Sequence, residues 1–290
     1  MKSQKTAYSM TRILTLLLVL LIPVPGRCLD GGLAPGDKPP ADVFSRLADA
    51  GQADDHEDAG HIIVFDRAVN RMKVSGVTYV DAYTVYKVLT SQGAKDLSVL
   101  RWNYDPQSSH VEVREVNIIR DGGKIPVDPA LVHDLPAPQH AIYWNDRIKI
   151  MQLPRLEIGD GIEVTVFRKG FTYALLGGEG GTAGGGASDT APDDEQYIPP
   201  MPGEYFDIVY FSEEVPVVEK RYTLDLPAEK RLHSQVYNGP LYASTTYSGE
   251  RTVYEWWGLD LPARVHEPGQ PDRSDFVPKV VMATAESWEA

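Results

Sequence analysis

The stretch RIKIMQLPRLEIGDGIEVTVF, residues Arg147–Phe167, decides the fold of this chain. On either side of its middle, apolar and polar residues alternate with a period of two, as they do in half-buried β-strands. The middle holds Pro154 and the turn residues Gly159–Gly161, which interrupt regular structure. We therefore predict a strand, a corner and a second strand, each strand with one face buried and the other in solvent.

The same two-residue period continues on both sides of this stretch. Segments rich in Val, Tyr, Thr and Ile alternate with turn residues from His61 onward, whereas a helical period is confined to Ala41–Ala50. The predicted strands include 61–66, 77–90, 95–104, 111–119, 205–211, 215–226, 232–237, 241–247 and 251–257. The sequence therefore predicts an all-β fold, an antiparallel β-sandwich with one short N-terminal helix.

One predicted strand cannot be regular. Val111 and Val113 share one parity, and Val116 and Ile118 share the other. A regular strand would place these two pairs on opposite faces, whereas one extra residue would bring all four to the same face. We therefore predict a β-bulge near Arg114–Glu115.

Composition divides the chain into segments. Residues 177–194 (GGEGGTAGGGASDTAPDD) offer no large apolar group to a core, so we predict a flexible, disordered Gly-rich insertion. Beyond Pro262 the chain is rich in proline and polar residues and is predicted to be a linker, residues 263–290. The predicted sandwich module is then 61–262, preceded by a tail and short helix in 29–60.

The N-terminus has the pattern of a secretory signal peptide, Met1–Cys28. Basic residues precede the apolar run Ile13–Val24, which is too short to span a bilayer, and small residues stand at the −3 and −1 positions of a cut after Cys28. A retained membrane anchor is one alternative. A lipoprotein is the other, although Arg27 does not suit it. We expect an exported protein, periplasmic or extracellular, that meets the membrane only through its signal sequence.

Charge and cysteine content exclude several functions. The formal charge is −13, and removal of residues 1–28, which hold four basic and no acidic residues, makes it −17. Such a chain is unsuited to nucleic acid, where affinity depends on neutralising phosphates. The same cut removes the only cysteine, Cys28, and with it any thiol nucleophile, disulfide or thiolate ligand.

Candidate catalytic and metal patterns are weak. In the acidic loop Asp54–Asp58, His56 and His61 lie five residues apart and would not share a helix face, and the glycine of a calcium loop comes one place late. The Gly178–Gly180 run has no helix after it to bind a phosphate. Glu213 and Glu214 fall at a turn. The sequence cannot place the scattered histidines in one catalytic set: His133, His140, His233 and His266. We expect no cofactor, no metal and no enzymatic activity.

Aromatic residues cluster on two successive predicted strands: Tyr242, Tyr247, Tyr254, Trp256 and Trp257. Alternation places Tyr254 and Trp256 on one face and Trp257 on the other. If one face is open, Tyr242, Tyr247, Tyr254 and Trp256 could bind a glycan or a peptide by stacking. The other interpretation, which we favour, is that both faces are covered, because Trp and Tyr bury well when their polar ends find partners.

Several runs together resemble a known family. They are YKVLTSQG (86–93), RWNYDPQSSHVEVREVNIIRDGGKIPVD (101–128), RIKIMQLPRLEIGDGIEVTV (147–166), FDIVYFSEEVPVVEKRYTLDLP (206–227), YEWWGLDLPARVHEP (254–268) and FVPKVVMATAESW (276–288). Their order and spacing resemble the domain of unknown function 3857, a β-rich module that lies ahead of a transglutaminase-like core in exported bacterial proteins. The resemblance covers about Ala41–Trp288, apart from the 177–194 insertion and the core itself.

This resemblance implies a partner and a role. The catalytic Cys, His and Asp of such proteins belong to the core, so no catalytic residue carries over to this chain. The resemblance implies a non-catalytic module that scaffolds or gates a transglutaminase-like domain, present in the full-length or a neighbouring product. The alternative is a free-standing sandwich that binds glycan or peptide through its Tyr/Trp face. The expectation is that the chain is a truncated product or a fragment.

Overall fold

The computed structural model describes residues 43–57, 59–138, 145–171, 196–264 and 269–285. Strands make up most of this part of the chain. In chain order they are β1 (His61–Met72), β2 (Thr78–Val88), β3 (Val99–Tyr104), β4 (Ser109–Arg120), β5 (Gly123–Val127), β6 (His133–Pro136), β7 (Arg147–Gln152), β8 (Gly161–Gly170), β9 (Phe206–Tyr210), β10 (Val217–Pro227), β11 (His233–Tyr237), β12 (Tyr242–Ser248), β13 (Arg251–Leu261) and β14 (Lys279–Ala283). The helices are α1 (Val43–Asp49), α2 (Ser91–Asp96) and α3 (Arg273–Phe276), and 3₁₀ turns cover Ala53–His56 and Pro129–Leu131.

Eight strands form one large sheet in the order β12-β13-β10-β1-β2-β8-β4-β5. Neighbouring strands in it run antiparallel except β1 and β10, which are parallel. Two small sheets, β3-β7-β6 and β11-β14-β9, are antiparallel throughout. The predicted all-β class with antiparallel sheets is confirmed, as is the short N-terminal helix, α1.

Both small sheets cover the same face of the large sheet, which we call the covered face. Strand pairing aligns one row of this face across five strands: Val166, Ala82, Ala68, Tyr222 and Trp256. One end of the row packs on the first small sheet through Met151, and the other end packs on the second through Val209 and Met282. Two apolar layers therefore close on each other, which is the arrangement of a β-sandwich.

The opposite face of the large sheet, which we call the open face, carries α1. Val43 and Leu47 of this helix are buried against Phe65 and Val85 of β1 and β2. Since apolar residues one helical turn apart lie on one side of a helix, this short helix presents a single apolar stripe to the sheet. The remaining part of the open face carries polar and charged side chains together with aromatic rings.

The corner between β7 and β8 carries the chain from a small sheet into the middle of the large one. Residues 153–160 make this passage, and Gly159 adopts a left-handed φ of 93° that favours glycine. The buried carboxylate of Asp160 accepts hydrogen bonds from the Arg120 side chain at 2.6 and 2.8 Å and from the Glu157 N–H at 2.7 Å. The predicted strand, corner and strand are therefore confirmed, with the corner anchored by one buried acid. The prediction that each strand has one face in solvent is wrong for β8, which lies in the middle of the large sheet and is buried or half-buried along its whole length.

The predicted bulge in β4 is also confirmed. The register of β4 against β8 shifts between Val113 and Glu115, which leaves Arg114 as the extra residue. As a result, Val111, Val113, Val116 and Ile118 all lie in the same core cluster. The hydrophobic pattern alone was enough to locate this irregularity.

The structure departs from the predicted C-terminal boundary. Within the predicted linker 263–290, β14 is the central strand of the small sheet β11-β14-β9, so the folded module continues past 262. Val280 and Met282 of β14 are 0% and 1% exposed. The surrounding prolines hid a five-residue strand from pattern reading. Two further short helices, α2 and α3, were not predicted.

Several predicted segments lie outside the described residues. These are the signal peptide 1–28, the tail that precedes α1 and the Gly-rich insertion 177–194. Their predictions stand as they were made from the sequence.

Candidate functional site

The polar part of the open face carries charged and aromatic side chains in an ordered array. Strand pairing aligns one row across six strands: Thr165, Tyr83, Arg67, Arg221, Trp257 and Tyr242. The carboxylates of Glu219 and Glu255 stand on the same face, two residues away along β10 and β13. Because same-face neighbours in a sheet are within reach of long side chains, opposite charges meet throughout this array.

Glu219 on β10 gathers three arginine side chains. Its carboxylate accepts a hydrogen bond of 2.9 Å from Arg67 Nε, and Arg67 Nη2 lies 2.7 Å away. Arg221 Nε lies at 3.3 Å and Arg46 of α1 at 3.6 Å. Arg46 and Arg67 also lie over the ring of Phe65, at 5.0 and 4.3 Å. The Glu219 side chain is 8% exposed, and a buried charge of this kind is tolerated only with such partners.

The array continues from Arg221 to the edge of the sheet. Arg221 Nη1 lies 3.1 Å from Glu255 Oε2, and the guanidinium sits 4.8 Å from the centre of the Trp257 ring. Trp257 in turn stacks on Tyr242, with ring centres 5.5 Å apart and planes 16° from parallel. We call Arg46, Arg67, Glu219, Arg221 and Glu255 the charge ladder. It links α1 to an aromatic pair at the edge strand β12.

Glu163 on β8 forms a second polar cluster on the same face. It accepts hydrogen bonds from Tyr83 Oη at 2.9 Å, Asn117 Nδ2 at 2.8 Å and Lys124 Nζ at 2.8 Å. Burial alone would raise the pKa of Glu163, but the hydrogen bonds from Lys124, Asn117 and Tyr83 hold it below its usual value. Burial and the neighbouring Glu163 charge raise the pKa of the Tyr83 hydroxyl. An ionised acid beside a neutral phenol at physiological pH is a structural pair, unsuited to exchanging protons.

The four aromatic residues predicted to bind a ligand do not share one surface. Trp256 is 5% exposed in the core of the covered face, and Tyr254 stacks on it with ring centres 6.2 Å apart. Tyr247 is 80% exposed and points to the covered-face side of β12, while Tyr242 points to the open face. The predicted separation of Tyr254 and Trp256 from Trp257 agrees with the register. Ligand binding by the four residues stays a prediction.

The acidic loop near α1 is a capped turn. The Asp55 carboxylate accepts a hydrogen bond from the Gln52 N–H at 2.8 Å, and His56 Nε2 lies 2.6 Å from the Ala50 carbonyl oxygen. In the part of the chain that the structure describes, no group of three or more His, Cys, Asp or Glu side chains is placed to hold a metal ion. The loop therefore uses its polar groups to shape the chain between α1 and β1.

Two of the scattered histidines lie far apart in the topology. His133 is on β6 and His233 is on β11, which belong to different small sheets. Asp134, next to His133, accepts hydrogen bonds from Tyr104 Oη at 2.5 Å and Arg147 Nε at 2.8 Å. The acid is thus committed to a tyrosine and an arginine, and His140 and His266 fall outside the described residues.

A further polar cluster that the sequence did not predict is a carboxyl group between two phenols beneath the second small sheet. Asp207 Oδ2 accepts hydrogen bonds from Tyr222 Oη at 2.6 Å and Tyr205 Oη at 3.1 Å, and the two hydroxyls also contact each other. Burial raises the pKa of Asp207, partly opposed by the two hydroxyl donors. The three residues come from β9, the segment before it and β10, so only the tertiary fold brings them together.

A cleft of about 510 Å³ lies beside α1, lined in part by Phe44, Leu47, Lys87 and Asp160. Lys87 Nζ donates hydrogen bonds of 2.7 Å to the carbonyl oxygens of Leu47 and Gly51. Burial lowers the pKa of Lys87. The amine caps the C-terminal end of α1, where a cation is favoured by the helix dipole, so its role is to seat the helix on the open face.

Comparisons with known proteins identify the fold. The DUF3857 family model, described as a domain of unknown function with a solved structure, matches residues 75–265. A comparison with curated protein sequences finds no match. Among the residues described, no helix is long and apolar enough to cross a membrane.

A comparison with solved structures finds matches at low sequence identity. A protein from Parabacteroides distasonis described as a candidate protease is 14% identical, with a TM-score of 0.61 over 79% of this chain and 41% of that one. An M1 zinc metallopeptidase from Deinococcus radiodurans is 11% identical, with a TM-score of 0.34 over 78% of this chain and 42% of that one. This chain therefore spans less than half the length of the structures it matches.

Proposed function

This chain belongs to the DUF3857 family, and we propose that it is a non-catalytic, exported β-sandwich module that scaffolds or gates a transglutaminase-like domain. That domain would be supplied by the full-length or a neighbouring product. The module would contribute a rigid surface, and the partner domain would contribute the reacting groups.

The open face is the observation that carries this proposal. Its charge ladder is neither fully buried nor fully solvated, with the side chains of Arg67 and Arg221 at 23% and 28% exposure. The ladder fixes these side chains in place before any partner arrives, which lowers the entropic cost of binding. Arg and aromatic residues are also the types enriched where proteins bind each other. The face is thus suited to receive a partner.

Two further observations support the proposal. The same fold occupies 41% of a longer protein described as a candidate protease, so the architecture occurs joined to other protein. Glu219, Glu255 and Glu163 on the open face are engaged with cations, and Glu163 is held ionised, so these three acids are suited to a structural role and not to general acid catalysis. The signal-like N-terminus supports export of this chain, and a partner that binds it would be exported as well.

The test combines gene context with binding. The coding sequence around this chain is read for a transglutaminase-like domain, and that purified domain is titrated onto the chain. We expect Arg221→Glu to weaken binding by roughly tenfold or more, because it reverses a charge at the contact. Arg101→Glu is the matched control, since it makes the same change on an exposed residue of the small sheet β3-β7-β6. Equal binding by both variants, or turnover by this chain alone, would contradict the proposal.

A second function is favoured by the aromatic pair at the sheet edge. Tyr242 is 58% exposed and lies flat on Trp257, an arrangement that could stack a sugar ring or a peptide side chain. A glycan array and a peptide library test it directly. Binding that is lost in Tyr242→Ala and kept in Tyr237→Ala, an exposed tyrosine on β11, would support this function. If the wild-type chain binds neither the glycan array nor the peptide library, this function is rejected.

A further inference from the structure

We propose that β12 is a pairing edge that joins this chain to a second copy of itself, strand against strand. Such pairing needs only the edge of the large sheet and is independent of the function proposed above. It concerns the backbone groups of β12 and the side chains that flank them.

Among the residues that the structure describes, none shields the edge strand β12 from pairing with another strand. It is the terminal strand of the eight-stranded sheet, all seven of its residues are exposed, and its sequence YASTTYS holds no charge and no proline. The strand at the other edge, β5, is shorter and contains Lys124 and Pro126. Natural sheets usually shield their edges with such residues, because an unshielded edge pairs with other strands. The large sheet therefore has one edge, β5, whose residues disfavour pairing, and one edge, β12, whose residues allow it.

The turn between β12 and β13 determines which backbone groups are free. Ser248 pairs with Arg251 across the two-residue turn Gly249–Glu250, and Gly249 has the positive φ, 60°, that such turns require. The carbonyl oxygen of Glu250 accepts a hydrogen bond of 2.8 Å from the Ala228 N–H on the β10 side. Backbone groups alternate in direction along a strand, so those of Arg251 face β12.

The same alternation fixes the direction of every group in β12. Tyr242, Ser244, Thr246 and Ser248 turn their N–H and C=O groups toward β13, since they pair with the odd-numbered residues of that strand. The outward groups belong to the three residues between them, Ala243, Thr245 and Tyr247. An incoming strand would bond to these three.

A second copy fits this edge around a two-fold axis at Thr245. Antiparallel pairing then places Thr245 opposite Thr245 of the second copy, and Ala243 opposite Tyr247 in both directions. Each of these facing pairs exchanges two backbone hydrogen bonds. The full length of the strand is used without a shift in register.

The side chains favour the second copy over an unrelated strand. On the covered-face side, the large Tyr247 meets the small Ala243, and threonine meets threonine, which is a favourable cross-strand pair. On the open-face side, Tyr242 meets Ser248, and Ser244 meets Thr246. Each tyrosine of the strand therefore faces a small residue, and no charge faces another although the whole chain carries −13. Pairing of one strand buries little area, so we expect a weak, concentration-dependent dimer.

Sedimentation velocity over roughly a 100-fold range of protein concentration tests the proposal. We expect the wild-type chain to shift from monomer to dimer. Thr245→Lys should weaken dimerisation by roughly tenfold or more, because it places two like charges directly opposite each other on the axis. The matched control is Ser234→Lys, which adds the same charge to an exposed residue of β11, outside the proposed pairing edge.

A charge-swap experiment then identifies the occupant. Thr245→Lys and Thr245→Glu should each be monomeric alone, and an equimolar mixture should form a heterodimer, since only the mixture places opposite charges on the axis. Circular dichroism confirms that each variant is folded. A wild-type chain that stays monomeric at every concentration, a Thr245→Lys dimer as strong as wild type, or a mixture that fails to associate would each overturn the proposal.

Discussion

The two faces of the large sheet are stabilised by different means. On the covered face, apolar residues from two small sheets exclude water, and the one acid described there in detail, Asp207, accepts hydrogen bonds from two tyrosine hydroxyls and the Ile208 N–H. On the open face, the acids Glu219 and Glu163 are each held by cations and hydrogen-bond donors. The pKa of Asp207 is raised by burial, while that of Glu163 is lowered by its partners. One face is thus built for stability, and the other keeps organised charge available at the surface.

The largest expected effect is the loss of stability when a core side chain of the covered face is removed. Trp256 and Trp257 are adjacent in the chain, and they point to opposite faces. Trp256→Ala should lower the free energy of unfolding by about 4 kcal/mol, because it removes a 5% exposed side chain from the core and leaves a cavity. Urea denaturation of the purified variant measures this loss.

Trp257→Ala is the matched variant on the open face. It loses the stack on Tyr242 and the contact with Arg221, and we expect a cost of about 1 kcal/mol. Equal losses in the two variants would mean that both faces are buried alike, and the distinction between them would fail.

The next effect concerns the free energy of unfolding, which should depend on pH in opposite ways for acids on the two faces. A group whose pKa is lowered by folding stabilises the fold above its unfolded pKa, and this contribution is lost as pH falls through the folded pKa. Glu163→Gln should therefore cost about 2 kcal/mol at pH 7, where a charged hydrogen-bonded acid is removed, and less at pH 3. Denaturation at a series of pH values measures the slope.

Asp207→Asn should show the opposite slope. Because burial raises its pKa, Asp207 contributes stability that is fully present below the unfolded pKa and is lost as pH rises through the folded pKa. The amide can still accept the tyrosine hydrogen bonds but cannot ionise. We expect the variant to gain stability relative to wild type as pH rises from 4 to 7, by about 1 kcal/mol or less. A gain that is the same at both pH values would show that Asp207 does not ionise in that range.

The sequence predicted the layers well, because alternation is a local signal. The four apolar residues of β4, Val111, Val113, Val116 and Ile118, even located the bulge near Arg114–Glu115, since only an extra residue could bring both pairs to one face. The strand–corner–strand reading of Arg147–Phe167 succeeded for the same reason. Each of these predictions depends on residues that are neighbours in the chain.

The features that the sequence did not predict are those in which tertiary contacts override local preference. Gly93 disfavours a helix, yet α2 contains it, because a Cβ at that position would lie 1.8 Å from the Gly60 carbonyl oxygen. The β14 strand is only five residues long, and its partners β9 and β11 come from distant parts of the chain. The charge ladder joins residues from α1, β1, β10 and β13, whose register no local pattern reveals. The sequence therefore predicts faces, and the structure is needed to say what meets on them.

The smallest expected effect tests whether the ion pairs of the charge ladder become weaker from α1 toward the sheet edge. In the Arg221–Glu255 pair both side chains are 28% exposed, so solvent screens their attraction, and a double-mutant cycle should give a coupling of about 0.5 kcal/mol. Salt at about 0.5 M should reduce this coupling, since the Debye length is then shorter than 10 Å. The Arg67–Glu219 pair, where the acid is 8% exposed, should couple more strongly and respond less to salt. If the two cycles give the same coupling and the same salt response, the ion pairs of the ladder are equally strong. The Arg221–Glu255 pair near β12 would then be no easier for a partner protein to break than the Arg67–Glu219 pair near α1.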